Sequence, residues 1–396
     1  MNRYQAFWEQ LPEAERSDGQ IAGVTAVGCG ATHSIMERCN FSCTSCYLSE
    51  GANATVPAPF AEVQAQLDEL RAYLGPEGKC QITSGEVTLL PVQELGRIVV
   101  YALQIGLDAM LMTNGERFLQ QADYLRTLVE EFGLQKVSFH VDSTQRGRPD
   151  SRQDQQEEEL HELRDRFADL VRQTRTQTGK VLHAAMTVTD ANAAGVPGVI
   201  DWALNHADAI RLVSFLPVAP VGRTRDEGAD GLDLDGVWQL ICRGAGQALN
   251  RDALRFGHRE CNITVPVIVA HAGRQRSIIE IVRAENGWDR RIMRRALREF
   301  APGIHIDDGL PMAVLRLAAA VTGKRFSLRP QLLVAHRFMS AAEIDTDIGR
   351  QRLAACVFRV PVDGKMVSMC EVIAGDLRQQ LTKRQRRPDR RQPVPV

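Results

Sequence analysis

The sequence predicts an α/β protein built on a parallel sheet, and two observations predict it. Between residues 33 and 215, six short apolar runs with strand character alternate with segments whose apolar residues recur at helical spacing. Strands joined by helix-length crossovers pair in parallel as right-handed βαβ units. The periodicity suits an open doubly wound sheet as well as a partial barrel.

Residues 1–30 are expected to form a leader, with Phe7, Trp8 and Leu11 packed on the body. The Gly28-Cys29-Gly30 turn feeds a first strand from His33 to Glu37, and residues 50–58 read as loop. Phe60–Leu74 is a helix, because Val63, Leu67, Leu70 and Leu74 form one stripe and Gly75-Pro76 stops it. Cys80–Thr83 is the second strand, with Cys80 a buried small hydrophobe. Pro91 opens a helix to Gln104, closed by Gly106. Then follow the strand Ala109–Thr113, the helix Phe118–Phe132 and the strand Val137–Val141. A long helix over 155–178 turns Leu160, Leu163, Phe167 and Leu170 to the core. The strand Leu182–Val188, the helix Val196–Asn205 and the strand Ala209–Phe215 complete the pattern.

The character changes after residue 225, so residues 31–225 are assigned to the core and 226–380 to an α+β extension. The extension is expected to hold a helix over Asp235–Leu249 and a β pair, Ile263–Ala270 with Ser277–Arg283, joined through Ala272-Gly273. Helices near Asp289–Phe300 and Pro311–Thr322 and a hairpin over Val357–Met369, turning at Asp363-Gly364, follow. Residues 381–396 are basic and Pro-rich, and are expected to be disordered.

The formal net charge of −1 gives no global field for nucleic acid, and 44% hydrophobic residues suit a protein with a sizeable core. No run of 18 apolar residues exists, and the N-terminus lacks the apolar stretch of a secretory signal. Nine cysteines in such a chain point to metal or redox roles in a reducing compartment, with the cytoplasm as the expectation.

Three of those cysteines, Cys39, Cys43 and Cys46, fall within eight residues as C-x3-C-x2-C. That is too tight for three independent structural cysteines and suits three corners of one cluster. A [4Fe–4S] cube normally takes four cysteines, so three leave one iron open to an outside ligand. The other reading is zinc, closed by Cys29 or His33 as fourth ligand.

The triplet resembles the signature of the radical S-adenosylmethionine superfamily, carried on the loop after the first barrel strand. Most members place an aromatic residue just before the third cysteine; here that position is Ser45, and Tyr47 follows instead. The resemblance implies a partial (β/α)6 TIM-like barrel, with the chemistry at the carboxyl ends of its strands. It implies S-adenosylmethionine on the open iron, cleaved by one electron to a 5′-deoxyadenosyl radical that takes hydrogen from an unactivated C–H bond. A reductant such as flavodoxin or ferredoxin is implied with it.

The same resemblance assigns cofactor contacts. Ser84-Gly85-Glu86 stands where the superfamily has a Gly-Gly-Glu-like motif, whose backbone approaches the methionyl amino group; the plain alternative is a strand-to-helix turn. Asn114, in Thr113-Asn114-Gly115, ends the third strand and supports the register, although Asn-Gly is also a good turn. Asp142 is the candidate for the ribose hydroxyls, beside His140, Ser143 and Thr144; capping is its alternative. Thr187, Thr189, Arg211 and Ser214 are weaker members of the set, and Arg223 and Arg225 are candidates for an anionic substrate group or a solvated loop.

In the extension, Cys261, Cys356 and Cys370 are candidates for a second cluster. With Asp363-Gly364 as the turn, Val362 pairs with Lys365, so Cys356 and Cys370 come close but face opposite sides unless Pro361 marks a bulge. His336-Arg337-Phe338-Met339, Cys356, Pro361-Val362-Asp363-Gly364 and Cys370 resemble the branch of archaeal tetraether lipid synthase and related pterin methylases. A second C-x3-C-x2-C is absent. The expected function is a radical enzyme acting on a lipid or small molecule, by C–C bond formation or methylation. The alternative is a zinc-stabilised binding module without catalysis.

Overall fold

The computed structural model describes residues 3–17, 19–149, 152, 155–190, 193–224, 233–273, 275–282, 287–289, 291 and 326–386. The chain opens with α1 (Arg3–Gln10), which buries Phe7, and Leu11 just beyond it is buried too. Six parallel strands follow: β1 (Cys29–Ala31), β2 (Gly78–Ile82), β3 (Leu107–Thr113), β4 (Lys136–His140), β5 (His183–Asp190) and β6 (Ile210–Pro217). Their links carry α2 (Phe60–Leu74), α3 (Val92–Gln104), α4 (Glu116–Gln120) with α5 (Ala122–Glu130), α6 (His161–Thr178) and α7 (Val196–Asn205).

From β1 to β6, neighbours in the sheet are neighbours in sequence. A doubly wound sheet reverses its strand order at a switch point; this one does not. Right-handed crossovers that all step in one direction put every helix on one face, and the twisted sheet curls around the other. That is the partial (β/α)6 barrel, and the strand order is what decides between the two architectures open to the sequence. Between sheet and helices lies a dry core: Phe139 of β4 stacks on Phe167 of α6 with ring centroids 4.6 Å apart, and both are fully buried.

The extension continues the same sheet at both edges. After α8 (Leu234–Ala245), β7 (Asn262–Ala272) and β8 (Gln275–Glu280) form the expected antiparallel pair. A further strand, β9 (Phe326–His336), lies parallel to β6 and antiparallel to β7. Then α9 (Ala341–Ile344) and α10 (Asp347–Ala354) lead into the hairpin of β10 (Phe358–Val362) and β11 (Lys365–Ser368). β10 pairs in parallel with β1 and covers its free edge. Helices α11 (Met369–Ala374) and α12 (Leu377–Arg384) follow.

Several expectations are corrected. The first strand lies earlier than His33–Glu37, because residues 36–38 leave the ladder and offer their carbonyls to the chain after β2: Gly85 N–H donates to Met36 O and Glu86 N–H to Arg38 O, both at 2.9 Å. The helix expected over Phe118–Phe132 breaks at Gln121, whose φ of −140° and ψ of 78° are not helical. The hairpin has the expected register, Val362 opposite Lys365, but no bulge at Pro361, which pairs with Met366 in an unbroken ladder. The tail does not begin at residue 381. Leu381 and Thr382 of α12 are buried, Ser49 and Thr382 hydroxyls meet at 2.8 Å, and Gln385 donates to Ser34 O at 2.8 Å. The expected helix Pro311–Thr322, most of Asp289–Phe300, Arg225 and residues 387–396 lie outside the described residues.

Candidate active site

The carboxyl ends of β2 to β6 open onto one cavity, and Cys39, Cys43 and Cys46, on the loop that follows β1, form part of its wall. The loop that carries them has little regular structure, so its shape depends on contacts from the strand ends. Asn53 Oδ1 accepts from Cys39 N–H at 2.9 Å. Ser42 and Thr44 N–H donate to the carbonyls of Arg146 and Thr144, each at 2.9 Å. On the far side the segment after β6 crosses over: Thr224 Oγ1 accepts from Cys46 N–H at 3.0 Å, and Arg223 N–H donates to Cys46 O at 3.0 Å. Gly222 permits that crossing. Its φ is +59°, and a Cβ there would stand 2.4 Å from the carbonyl oxygen of Tyr47.

Arg223 does more than cross. Its Nε donates to Cys46 Sγ at 3.3 Å and an Nη to Phe41 O at 3.1 Å, so one guanidinium ties both halves of the loop. Arg223→Ala is expected to weaken that attachment by about 1.5–3 kcal/mol, the worth of a hydrogen bond to a charged group. The measurement is the urea midpoint of the metal-free protein; unfolding at the wild-type midpoint would contradict the role.

Burial pushes the Cys39 thiol up to about 11, with the Phe41 N–H pulling it back. Burial pushes Cys43 higher still, aided by Asp142, Cys46 and Cys39. The Cys43 thiol thus feels the charge of both Cys46 and Cys39. Among the described residues, no three His, Cys, Asp or Glu side chains are close enough to hold one metal ion. Cys29 and His33, the fourth ligands considered for zinc, are not in the cavity wall. Cys29 lies in β1, and His33 Nδ1 is 2.8 Å from Ser34 Oγ.

Ser84, Gly85, Glu86 and Asn114 all reach the cavity. What Gly85 makes room for within the chain is the backbone before the cysteines: a Cβ would lie 2.3 Å from Glu37 O and 2.6 Å from Arg38 O. Ser84 O accepts a short hydrogen bond from the Tyr47 hydroxyl, while its own Oγ is buried with no partner among the described residues. Glu86 is already committed. Oε1 accepts from Thr88 N–H (3.0 Å), Thr88 Oγ1 (2.6 Å) and Thr113 Oγ1 (2.7 Å), and Oε2 from Asn114 N–H (2.7 Å). Asn114 Nδ2 in turn donates to Asn40 Oδ1 at 2.9 Å, which fastens the cysteine loop to the end of β3.

Asp142 does not line the cavity. Its Oδ1 accepts from Thr144 N–H (2.9 Å) and Oγ1 (2.6 Å), and its Oδ2 from Thr189 N–H (2.8 Å) and His140 Nε2 (2.5 Å). The ribose contact expected of it has no free oxygen to use, and His140 is the residue of this strand that faces the cavity. Thr187 and Thr189 also reach it, whereas Ser214 and Arg211 do not; one Arg211 Nη donates to Pro330 O at 3.3 Å.

The extension supplies the apolar side of the cavity through Phe338, Phe358, Met369 and Ile373. Its cysteines stand behind that wall. Arg352 Nε donates to Cys261 Sγ at 3.2 Å, Ser368 Oγ to Cys356 Sγ at 3.1 Å, and Met339 N–H to Cys370 Sγ at 3.5 Å. Burial pushes Cys370 up to about 12, with Cys356 and then Cys261 adding to it, so the three sulfurs feel one another. The helix that starts at Met369 turns Cys370 off the strand, which the alternation argument could not foresee.

Sequence reasoning missed the Asn40–Asn114 and Tyr47–Ser84 contacts. Tyr47, next to the last cysteine of the triplet, was the available signal.

No protein-family profile matches the chain. It is similar to the 7,8-dihydro-6-hydroxymethylpterin dimethyltransferase of Methanocaldococcus jannaschii, 24% identical over 202 residues that make up 49% of this chain and 37% of that protein. The chain therefore spans little more than a third of that relative's length. Among solved structures it resembles Streptococcus suis SuiB bound to S-adenosylmethionine (13% identity, TM-score 0.37, 54% of this chain and 46% of that one). It also resembles hexahistidine-tagged anSMEcpe with bound AdoMet (14% identity, TM-score 0.34, 47% and 50%). The resemblance to pterin methylases read from the sequence is borne out by the first of these similarities.

Proposed function

We propose that this chain is a radical S-adenosylmethionine enzyme in which Cys39, Cys43 and Cys46 hold a [4Fe–4S] cluster. The observation that carries the reading is the placement of the three sulfurs, on one loop clamped by Arg223, in the wall of the cavity at the strand ends. With S-adenosylmethionine, such a cluster supplies a 5′-deoxyadenosyl radical after one-electron reduction. The chain's own part is to bind, orient and keep water out. Ser84 Oγ is a buried, unpartnered group on offer to a polar part of S-adenosylmethionine. Gly85 keeps the strand end close to the cysteine loop, and Glu86 and Asn114 fix the turn opposite. Phe338, Phe358, Met369 and Ile373 give the radical an apolar wall.

The substrate in this reading is a small molecule or lipid, and the electron comes from a partner such as flavodoxin or ferredoxin. Methylation of a small heterocycle is favoured among the product steps by the similarity to the pterin dimethyltransferase. No helix among the described residues is long and apolar enough to cross a membrane. The test is incubation of the anaerobically reconstituted, reduced protein with S-adenosylmethionine: 5′-deoxyadenosine is expected, and its absence counts against the reading.

A second cluster on Cys261, Cys356 and Cys370 is a separate proposal, supported by the N–H or O–H donor that each sulfur already has. A variant lacking Cys39, Cys43 and Cys46 is then expected to remain brown with about four irons. A colourless, iron-free variant rules it out.

A further inference from the structure

His140 ends β4, and its half-buried ring forms part of the cavity wall. Its Nε2 stands 2.5 Å from Asp142 Oδ2 and 2.9 Å from Thr189 Oγ1. A carboxylate only accepts, so Nε2 carries the proton. Nδ1 then has no hydrogen-bond partner among the described residues, and is an acceptor when the imidazole is neutral and a donor when it is charged.

Asp142 is built for this task. It is buried, it holds three hydrogen bonds from Thr144 and Thr189 besides that from His140, and it cannot turn away. Gln145 donates to the His140 carbonyl at 2.7 Å and fixes the backbone beneath the ring. The other non-sulfur acids of the wall are committed: Glu86 has four donors, and the Tyr47 hydroxyl donates to Ser84 O.

We propose that His140 exchanges a proton with the bound substrate through Nδ1, with Asp142 as the positioning residue that holds its tautomer. The inference rests on the reading of this cavity as the reaction site and narrows its substrate to one with an N–H or O–H group in reach of the reacting carbon. In the forward sense that N–H or O–H bond breaks, its electron pair stays on the substrate heteroatom, and an N–H bond forms at Nδ1. The imidazolium is neutralised by the Asp142 carboxylate, and on return it gives the proton back. No further oxidant or reductant is needed.

The charged groups around the ring agree with this. Burial pulls the His140 proton affinity down, but the charge and hydrogen bond of Asp142 outweigh it, Arg148 opposes and Glu157 helps, and the net shift is upward. From β5 the uncharged Thr187 is the ladder partner of His140 and Thr189 Oγ1 meets its ring. On the cysteine side, Cys43 faces Asp142.

The test is the imidazole 15N spectrum of the full-length chain labelled at histidine, with His140 assigned by the loss of its signals in His140→Gln. The expected result is the Nε2-protonated tautomer at high pH and a titration above the usual value of about 6.5. Asp142→Asn is expected to lower that titration by about one to three pH units. An Nδ1-protonated ring, or a titration that Asp142→Asn does not move, overturns the proposal. If Asp142→Asn fails to fold, diethyl pyrocarbonate labelling of the wild type carries the test. His140 is expected to react, with a rate that rises through a pH above about 6.5, and no reaction at any pH overturns the proposal. These readouts need no iron, so iron content judges the cluster reading separately.

Discussion

Replacing any one of Cys39, Cys43 or Cys46 with alanine is expected to abolish reductive cleavage of S-adenosylmethionine to 5′-deoxyadenosine. The loss should be near total. Removing a thiolate leaves an iron without its protein ligand, and the loop has no spare thiol to replace it: Cys29 and Cys80 sit in β1 and β2, and neither lines the cavity. The scaffold should survive, because the loop's own backbone N–H groups donate to Asn53 Oδ1, Thr144 O, Arg146 O and Thr224 Oγ1, bonds that the substitutions leave alone. Folding is checked by the far-ultraviolet circular dichroism of the metal-free proteins, and activity by quantifying 5′-deoxyadenosine. Single variants that keep most of the cleavage while folded would show that the sulfurs do not hold the reacting cluster.

Glu86→Ala is the second large effect, and it falls on the fold before it falls on binding. The carboxylate is 1% exposed and accepts from Thr88, Thr113 and Asn114. Alanine leaves those buried donors without an acceptor, at about 1–3 kcal/mol each, so a loss of about 3 kcal/mol or more is expected. A shift of the urea midpoint of the metal-free protein measures it. Glu86→Gln should lose less, since its carbonyl still serves one group of donors while its amide meets the other. The sequence assigned Glu86 to cofactor binding; its four donors make it a brace between β2 and β3. A Glu86→Ala protein that unfolds at the wild-type midpoint would remove that brace from the account.

What the sequence made legible was local. Helices α2 and α7 have the bounds read from the sequence, and the hairpin has the register its Asp363-Gly364 turn dictates. The cysteine triplet was visible because Cys39, Cys43 and Cys46 fall within eight residues. What escaped was long-range. β9 carries Arg329 and Pro330 within its length, a pattern that argues against a strand, yet it fits between β6 and β7. The contact of Arg223 with Cys46 spans 177 residues, and no local pattern announces it. Asp142 is a carboxylate as expected, but its oxygens accept from Thr144, Thr189 and His140. Residues two apart on a strand end share a face, so His140 reaches its carboxylate first and takes the place at the cavity.

The most direct test of the central claim is the metal content of the wild-type protein after anaerobic reconstitution with iron and sulfide. The account predicts a brown protein with about four irons at the triplet, or about eight if the second cluster forms, and matching sulfide. A colourless protein with a single tightly held zinc would contradict it.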